Sequence, residues 1–223
     1  MSVKSNRYSN YLKSRFLSKK EKIFCIGCNK TGTTSLAQAM NKMGFHVAPQ
    51  ARGERLLKNY INNDLDSIIS FVRRHGVFFQ DVPFSLPEVF KHIDKAFPES
   101  KFILTIRDSS DVWYNSISKF HSKLFGGGNI PSKELLMNAN YIYKGWIWDF
   151  MKVYGGLDHA PYDEESLKNF YNKYNEDVLS YFRDKPDKLL VVNLKDSNAI
   201  SRLADFIGVS DTGLEEMPWA NKT

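Results

Sequence analysis

Along this chain the apolar positions change period, and each change marks an element. Ile23-Phe24-Cys25-Ile26 is a short continuous apolar run closed by Gly27. From Thr33 onward the apolar positions Leu36, Ala37, Met40 and Met43 recur at helical spacing, so the segment reads as strand, tight loop, helix. Further apolar runs at Phe45 to Val47, Val77 to Gln80, Phe102 to Ile106 and Leu189 to Asn193 have the length and continuity of strands buried on both faces. Helical patterns separate them, over residues 54–74 with a break, 87–96, 109–122, 132–153, 164–182 and 197–207. Strands alternating with helices predict an α/β fold of three layers with a central parallel sheet of about five strands. The helical stretch 132–182, entered through Gly126-Gly127-Gly128, falls before the last strand and reads as an insertion packed on the sheet.

Composition bounds what this sheet can belong to. With 223 residues, 42% of them hydrophobic and 25% charged, the chain can bury a core and lacks the charge bias of a disordered polymer. The net charge of +6 suggests a polyanion partner until it is located: residues 1–22 carry seven basic side chains against Glu21. The rest of the chain balances at 24 basic against 24 acidic residues, without the basic face of a nucleic-acid reader. Residues 1–22 are therefore expected to be a solubilising, partly disordered arm, able to touch an anionic surface weakly, and 23–223 a single domain. No stretch approaches the roughly 20 apolar residues of a membrane helix, and the N-terminus lacks the apolar run of a signal peptide. Cys25 and Cys28, the only cysteines, cannot build a disulfide framework and fit a reducing, cytoplasmic compartment. Their spacing suits a metal or redox pair, but strand geometry sends them to opposite faces, and they are expected to be small core or loop residues.

The candidate chemistry lies in the loop Gly27-Cys28-Asn29-Lys30-Thr31-Gly32-Thr33-Thr34-Ser35. A glycine-bearing loop between strand and helix aims backbone N–H groups and the positive end of the helix at one point, which suits a phosphate or sulfate. An ATP-type P-loop puts its lysine directly after the second glycine; here Thr33 stands there and Lys30 comes two residues before Gly32. A second anion site is expected where the strand Lys101 to Ile106 ends at Arg107 and a helix begins, capped by Ser109 or Ser110. The competing reading of Arg107 is a salt bridge to Asp108 or Asp111.

Lys30-Thr31-Gly32-Thr33-Thr34 resembles the 5′-phosphosulfate loop of sulfotransferases that use 3′-phosphoadenosine-5′-phosphosulfate (PAPS), whose core reads K-[ST]-G-T-[TS]. The Arg107 segment resembles the same family's 3′-phosphate motif, in which a serine follows the arginine by about eight residues. Here the eighth residue is Asn115 and the ninth Ser116, so either is a candidate. Between the two motifs, Phe79-Gln80-Asp81-Val82-Pro83-Phe84-Ser85-Leu86-Pro87 is similar to the family's catalytic stretch, with Asp81 where a histidine base stands in cytosolic enzymes. An Asp closing a turn before Pro83 is the plainer alternative. The terminal Trp219-Ala220-Asn221-Lys222 resembles the family's C-terminal segment, which implies that Lys222 would reach the 3′-phosphate.

The resemblance implies a P-loop-type fold and a sulfotransferase that moves a sulfuryl group from PAPS to a hydroxyl, or with lower expectation an amine, of a small-molecule or glycan acceptor, yielding 3′-phosphoadenosine-5′-phosphate (PAP). It implies Lys30 and Asp81 as catalytic residues. Lys30, Thr31, Gly32, Thr33, Thr34, Ser35, Arg107, Asn115 or Ser116, and Lys222 would bind the nucleotide. No metal is implied, because lysine and backbone would hold the leaving group. An ATP-dependent small-molecule kinase and a non-catalytic nucleotide- or polyanion-binding protein are the alternatives. His121 is a reserve base, expected at the surface, and the aromatic residues 141–154 are expected to be helix core.

Overall fold

A computed structural model describes residues 21–218. The sheet has four parallel strands: β1 (Ile23–Cys25), β2 (Phe78–Phe79), β3 (Lys101–Ile106) and β4 (Leu189–Asn193), in the order β2-β1-β3-β4. The fifth expected strand, Phe45 to Val47, is reduced to a single bridge between Val47 and Phe78. His46 O and Ala48 N still bond to β2, but Pro49 follows and has no N–H with which to continue a ladder.

Strand alternation splits the core into two layers. Phe24, Phe79, Phe102 and Leu104 face one hydrophobic cluster, while Ile23, Cys25, Phe78, Ile103, Leu190 and Val192 face the other. The first layer is aromatic, with Phe24 stacked on Phe79 at 5.1 Å and on Phe102 at 5.5 Å. Cys25 and Cys28 fall on opposite sides of the sheet, both fully buried and free, as the strand period requires.

The helices are α1 (Thr33–Lys42), α2 (Gln50–Glu54), α3 (Leu57–Ile61), α4 (Leu65–Arg74), α5 (Val89–Ala96), α6 (Ser110–Phe125), α7 (Lys133–Asn138), α8 (Trp146–Val153), α9 (Glu164–Phe182) and α10 (Ala199–Ile207). Two of the expected helical patterns, 54–74 with its break and 132–153, divide in ways that matter for function. The pattern over 54–74 is three helices, the last started by Asp64, whose carboxylate accepts from Ser67 N at 3.1 Å. The pattern over 132–153 is interrupted between α7 and α8, where Gly145 adopts φ 85° as the cap of α8. That interruption leaves Tyr141 in a loop.

β1 lies between β2 and β3, so the chain leaves β1 toward one side of the sheet and leaves β3 toward the other. In open parallel sheets this divergence opens a crevice at the carboxyl ends of the strands. The loops after β1 and β3 both end there. A Cβ on Gly27 would lie 2.1 Å from Thr105 Oγ1, so only glycine lets the β1 loop pass this close to β3.

Candidate functional site

A cleft of about 1080 Å³, solvent at its mouth included, opens at this divergence. Its lining includes Lys30, Gly32, Thr33, Thr34 and Ser35 from the β1 loop and α1, Asp81 from beyond β2, and Arg107 from beyond β3. Five of the candidate loop residues thus meet Asp81 and Arg107 in one place, while Asn115 and Ser116 are not among its lining residues. Thr31 does not join them: its hydroxyl donates to Cys28 O at 2.6 Å and lies 2.6 Å from Thr105 Oγ1, facing the sheet with 1% exposure. Lys222, Trp219 and Asn221 lie outside the described residues.

Gly32 caps α1 at φ 105° and, as a glycine, brings no side chain to the helix start, and the first turn carries no acidic residue. The positive end of a ten-residue helix therefore faces the cleft. Lys30 is held in the left-handed region at φ 72°, unusual for a non-glycine residue. Its Nζ lies 3.6 Å from the Phe120 ring centroid, and burial followed by the neighbouring Arg107 charge pushes its pKa down to about 8.

Arg107 is fixed at two points: its Nε donates to Lys30 O at 2.7 Å, and its backbone N donates to the Tyr171 hydroxyl at 2.9 Å. The salt bridge considered for it is not formed. Asp108 pairs with Lys195 at 3.1 Å and accepts from Asn193, while Asp111 pairs with Lys168. Ser109 is the cap of α6, accepting from Val112 N at 3.2 Å. On that helix Ser116 lies one turn before Phe120, and its Oγ is buried without a hydrogen-bond partner. Asn115 is exposed and lines a separate hollow with Lys119, Lys123 and Gly127.

Asp81 also adopts a left-handed backbone, φ 64°, and is 5% exposed. Its two oxygens are not equivalent. Oδ1 accepts from Asn29 Nδ2 and from Val82 N at 2.9 Å, whereas Oδ2 has only the longer contacts from Gln50 Nε2 at 3.3 Å and Thr33 Oγ1 at 3.5 Å. Burial raises its pKa, against the pull of those donors and of Lys30.

Asn29, Gln50, Glu54, Tyr141 and Lys195 line the same cleft and were not singled out from sequence. Of these, Lys195 alone carried a readable signal, its position just past the end of a parallel strand. Asn29 is oriented by Tyr154, whose hydroxyl donates to Asn29 Oδ1 at 2.9 Å, and its carbonyl accepts from Trp113 Nε1 at 2.9 Å. Glu54 is 4% exposed, and burial followed by the Asp81 charge pushes its carboxyl up to about 7.

His121 corrects the surface expectation. It is 5% exposed, with Nδ1 2.9 Å from the Tyr162 hydroxyl, and burial next to Lys30 pushes its pKa down to about 3. The aromatic stretch is core and cleft wall together: Trp146 and Phe150 belong to the first hydrophobic cluster and also line the cleft, with half-exposed Tyr141 at its edge. Among the described residues no three His, Cys, Asp or Glu side chains are grouped to hold a metal, and no helix is long and apolar enough to cross a membrane.

No curated protein matches the chain. A family model described as a sulfotransferase domain matches residues 22–223, spanning the sheet, the loops after β1 and β3, and Asp81. The chain belongs to the sulfotransferase family.

Proposed function

We propose that the cleft binds PAPS and transfers its sulfuryl group to a hydroxyl of an apolar acceptor, with residues 23–223 acting as one unit. The observation that carries this reading is the pair of neighbouring cations at a helix start capped by a glycine. Among the described residues neither Lys30 nor Arg107 forms an ion pair, although both are partly buried. Two desolvated like charges are costly side by side unless an anion completes them.

PAPS supplies the sulfuryl group and leaves as PAP. Lys30 and the first-turn N–H groups of α1 stabilise negative charge on the departing phosphate, the usual contribution of preorganised donors in group transfer. Thr33, Thr34 and Ser35 surround the same position. Arg107 holds the 3′-phosphate. Ser116 is the better partner than Asn115, because its orphaned Oγ gains a hydrogen bond that the exposed Asn115, in another hollow, does not offer. Lys222 stays a candidate for that phosphate. Asp81 Oδ2 takes the acceptor's proton. His121 is the poorer base, since the nearby lysine and its burial resist a second ring proton. Phe120, Leu124, Phe125, Trp146, Ile147 and Phe150 make part of the cleft lining apolar, which favours a phenol or other apolar alcohol over a glycan.

A ligand that binds only the folded state raises the melting temperature by mass action. In EDTA, PAP is expected to raise it, and ATP with magnesium to raise it less. Equal or greater stabilisation by ATP-magnesium would point to a kinase instead.

Arg107→Ala is expected to weaken PAP binding by roughly 1.5 to 3 kcal/mol, the worth of a charge-assisted bond. Adenosine 5′-phosphosulfate, which lacks the 3′-phosphate, should bind the variant almost as it binds the wild type. Isothermal calorimetry with both ligands checks this, and equal losses would make Arg107 a structural residue.

A further inference from the structure

Glu54 has no part in the reading above, yet it is tied to Asp81 through one side chain. Gln50 Nε2 carries two hydrogens and donates one to Glu54 Oε1 at 3.1 Å and the other to Asp81 Oδ2 at 3.3 Å. The Gln50 amide cannot turn over freely, because its Oε1 accepts from Gln80 Nε2 at 2.8 Å. Glu54 is held from the helical insertion: the Tyr141 hydroxyl donates to Oε1 at 3.2 Å, and Trp146 Nε1 donates to the Glu54 carbonyl at 2.8 Å. The acceptor wall and the base are thus joined by a chain of hydrogen bonds running Tyr141, Glu54, Gln50, Asp81.

We propose that Glu54 is a positioning residue for sulfuryl transfer, fixing Asp81 Oδ2 through Gln50 and setting by its own charge how strongly Asp81 holds a proton. This rests on the sulfotransferase reading of the cleft. Two buried carboxylates bridged by one amide repel each other, so the second ionises only against the first. The other charged groups that line the cleft with this pair are Lys30 from the β1 loop, which draws Asp81 toward ionisation, Arg107 behind it, and Lys195 from beyond β4, which is paired with Asp108. Tyr141 and the neutral His121 line the same cavity without a charge of their own. While Glu54 is ionised, its charge keeps Asp81 a stronger base, and when Glu54 takes up a proton that repulsion is lost and Asp81 becomes a weaker one.

The test is an infrared pH titration of the protonated-carboxyl band, combined with calorimetry of PAP and turnover with PAPS and 2-naphthol. The wild type is expected to show a carboxyl that loses its proton near pH 7, in line with the raised pKa of Glu54. In Glu54→Gln this band should vanish. In Asp81→Asn its midpoint should fall by about one pH unit or more, because the repelling charge has gone. Turnover by Glu54→Gln should drop about tenfold with PAPS KM unchanged, and the step near pH 7 in the rate profile should disappear. A midpoint unmoved in Asp81→Asn, or a rate profile unmoved in Glu54→Gln, would overturn the proposal. Should Glu54→Gln fail to fold, the Asp81→Asn titration decides alone. Absence of PAP binding would instead remove the sulfotransferase reading while the infrared titration still reports whether the two carboxylates are coupled.

Discussion

Replacing Asp81 by Asn is expected to lower sulfuryl transfer by about two to four orders of magnitude while leaving PAP affinity nearly unchanged. The amide keeps the size of the carboxylate, and its oxygen can still accept from Asn29 and Val82 N, so the loop after β2 should hold its shape; its NH2 replaces Oδ2 and gives up the long contact from Gln50. What it loses is an oxygen able to accept a proton in the transition state. The geometry names that oxygen: Oδ1 is saturated by two close donors, and Oδ2 is the one left with long contacts. Burial raises the carboxyl above the ordinary aspartate range and thereby makes it a better base than an exposed aspartate. Steady-state turnover with PAPS and a phenolic acceptor, alongside PAP calorimetry, checks the expectation. Near-normal turnover in Asp81→Asn would move the base elsewhere in the cleft.

Lys30→Met should reduce turnover by about 10²- to 10³-fold, the cost of removing one preorganised donor from a developing negative charge. Methionine keeps an unbranched stem over Phe120, so the loss is mainly one of charge. The same lysine predicts a pH signature. In the free protein its pKa is lowered to about 8, by burial and then by Arg107. A bound phosphate favours the charged form and raises that pKa, so PAP binds best where Lys30 is already protonated. Wild-type affinity should be flat below about pH 8 and fall as the pH rises through it, with a proton taken up on binding. Lys30→Met should bind PAP more weakly and lose that slope. An unchanged slope in the variant would show that another group is responsible.

The parts of this protein that could be read directly are those carried by neighbours along the chain. Short apolar runs marked β1, β3 and β4, because a strand buried on both faces needs little more than continuity of apolar side chains. The glycine loop before α1 and the capped helix after Arg107 were legible for the same reason, since a helix start is specified within a few residues. Packing decided the rest. Four hydroxyl residues in one loop look alike in sequence, yet the close approach of β3 turns Thr31 toward Thr105 and leaves Thr33 to Asp81. Ser116 and Asn115 differ by one position, and only the helix phase set by Ser109 sends one side chain inward and the other into a different hollow. His121 was expected outside because nothing local says that α6 is packed beneath Tyr162. The bridge from Asp81 to Glu54 left no local trace: Gln50 is 31 residues before Asp81, and Tyr141 is 87 residues after Glu54. Such groups meet because the sheet order brings the ends of β1, β2 and β3 to one edge and the interrupted insertion folds over it, and the energy of that arrangement lies in contacts between segments distant in the chain.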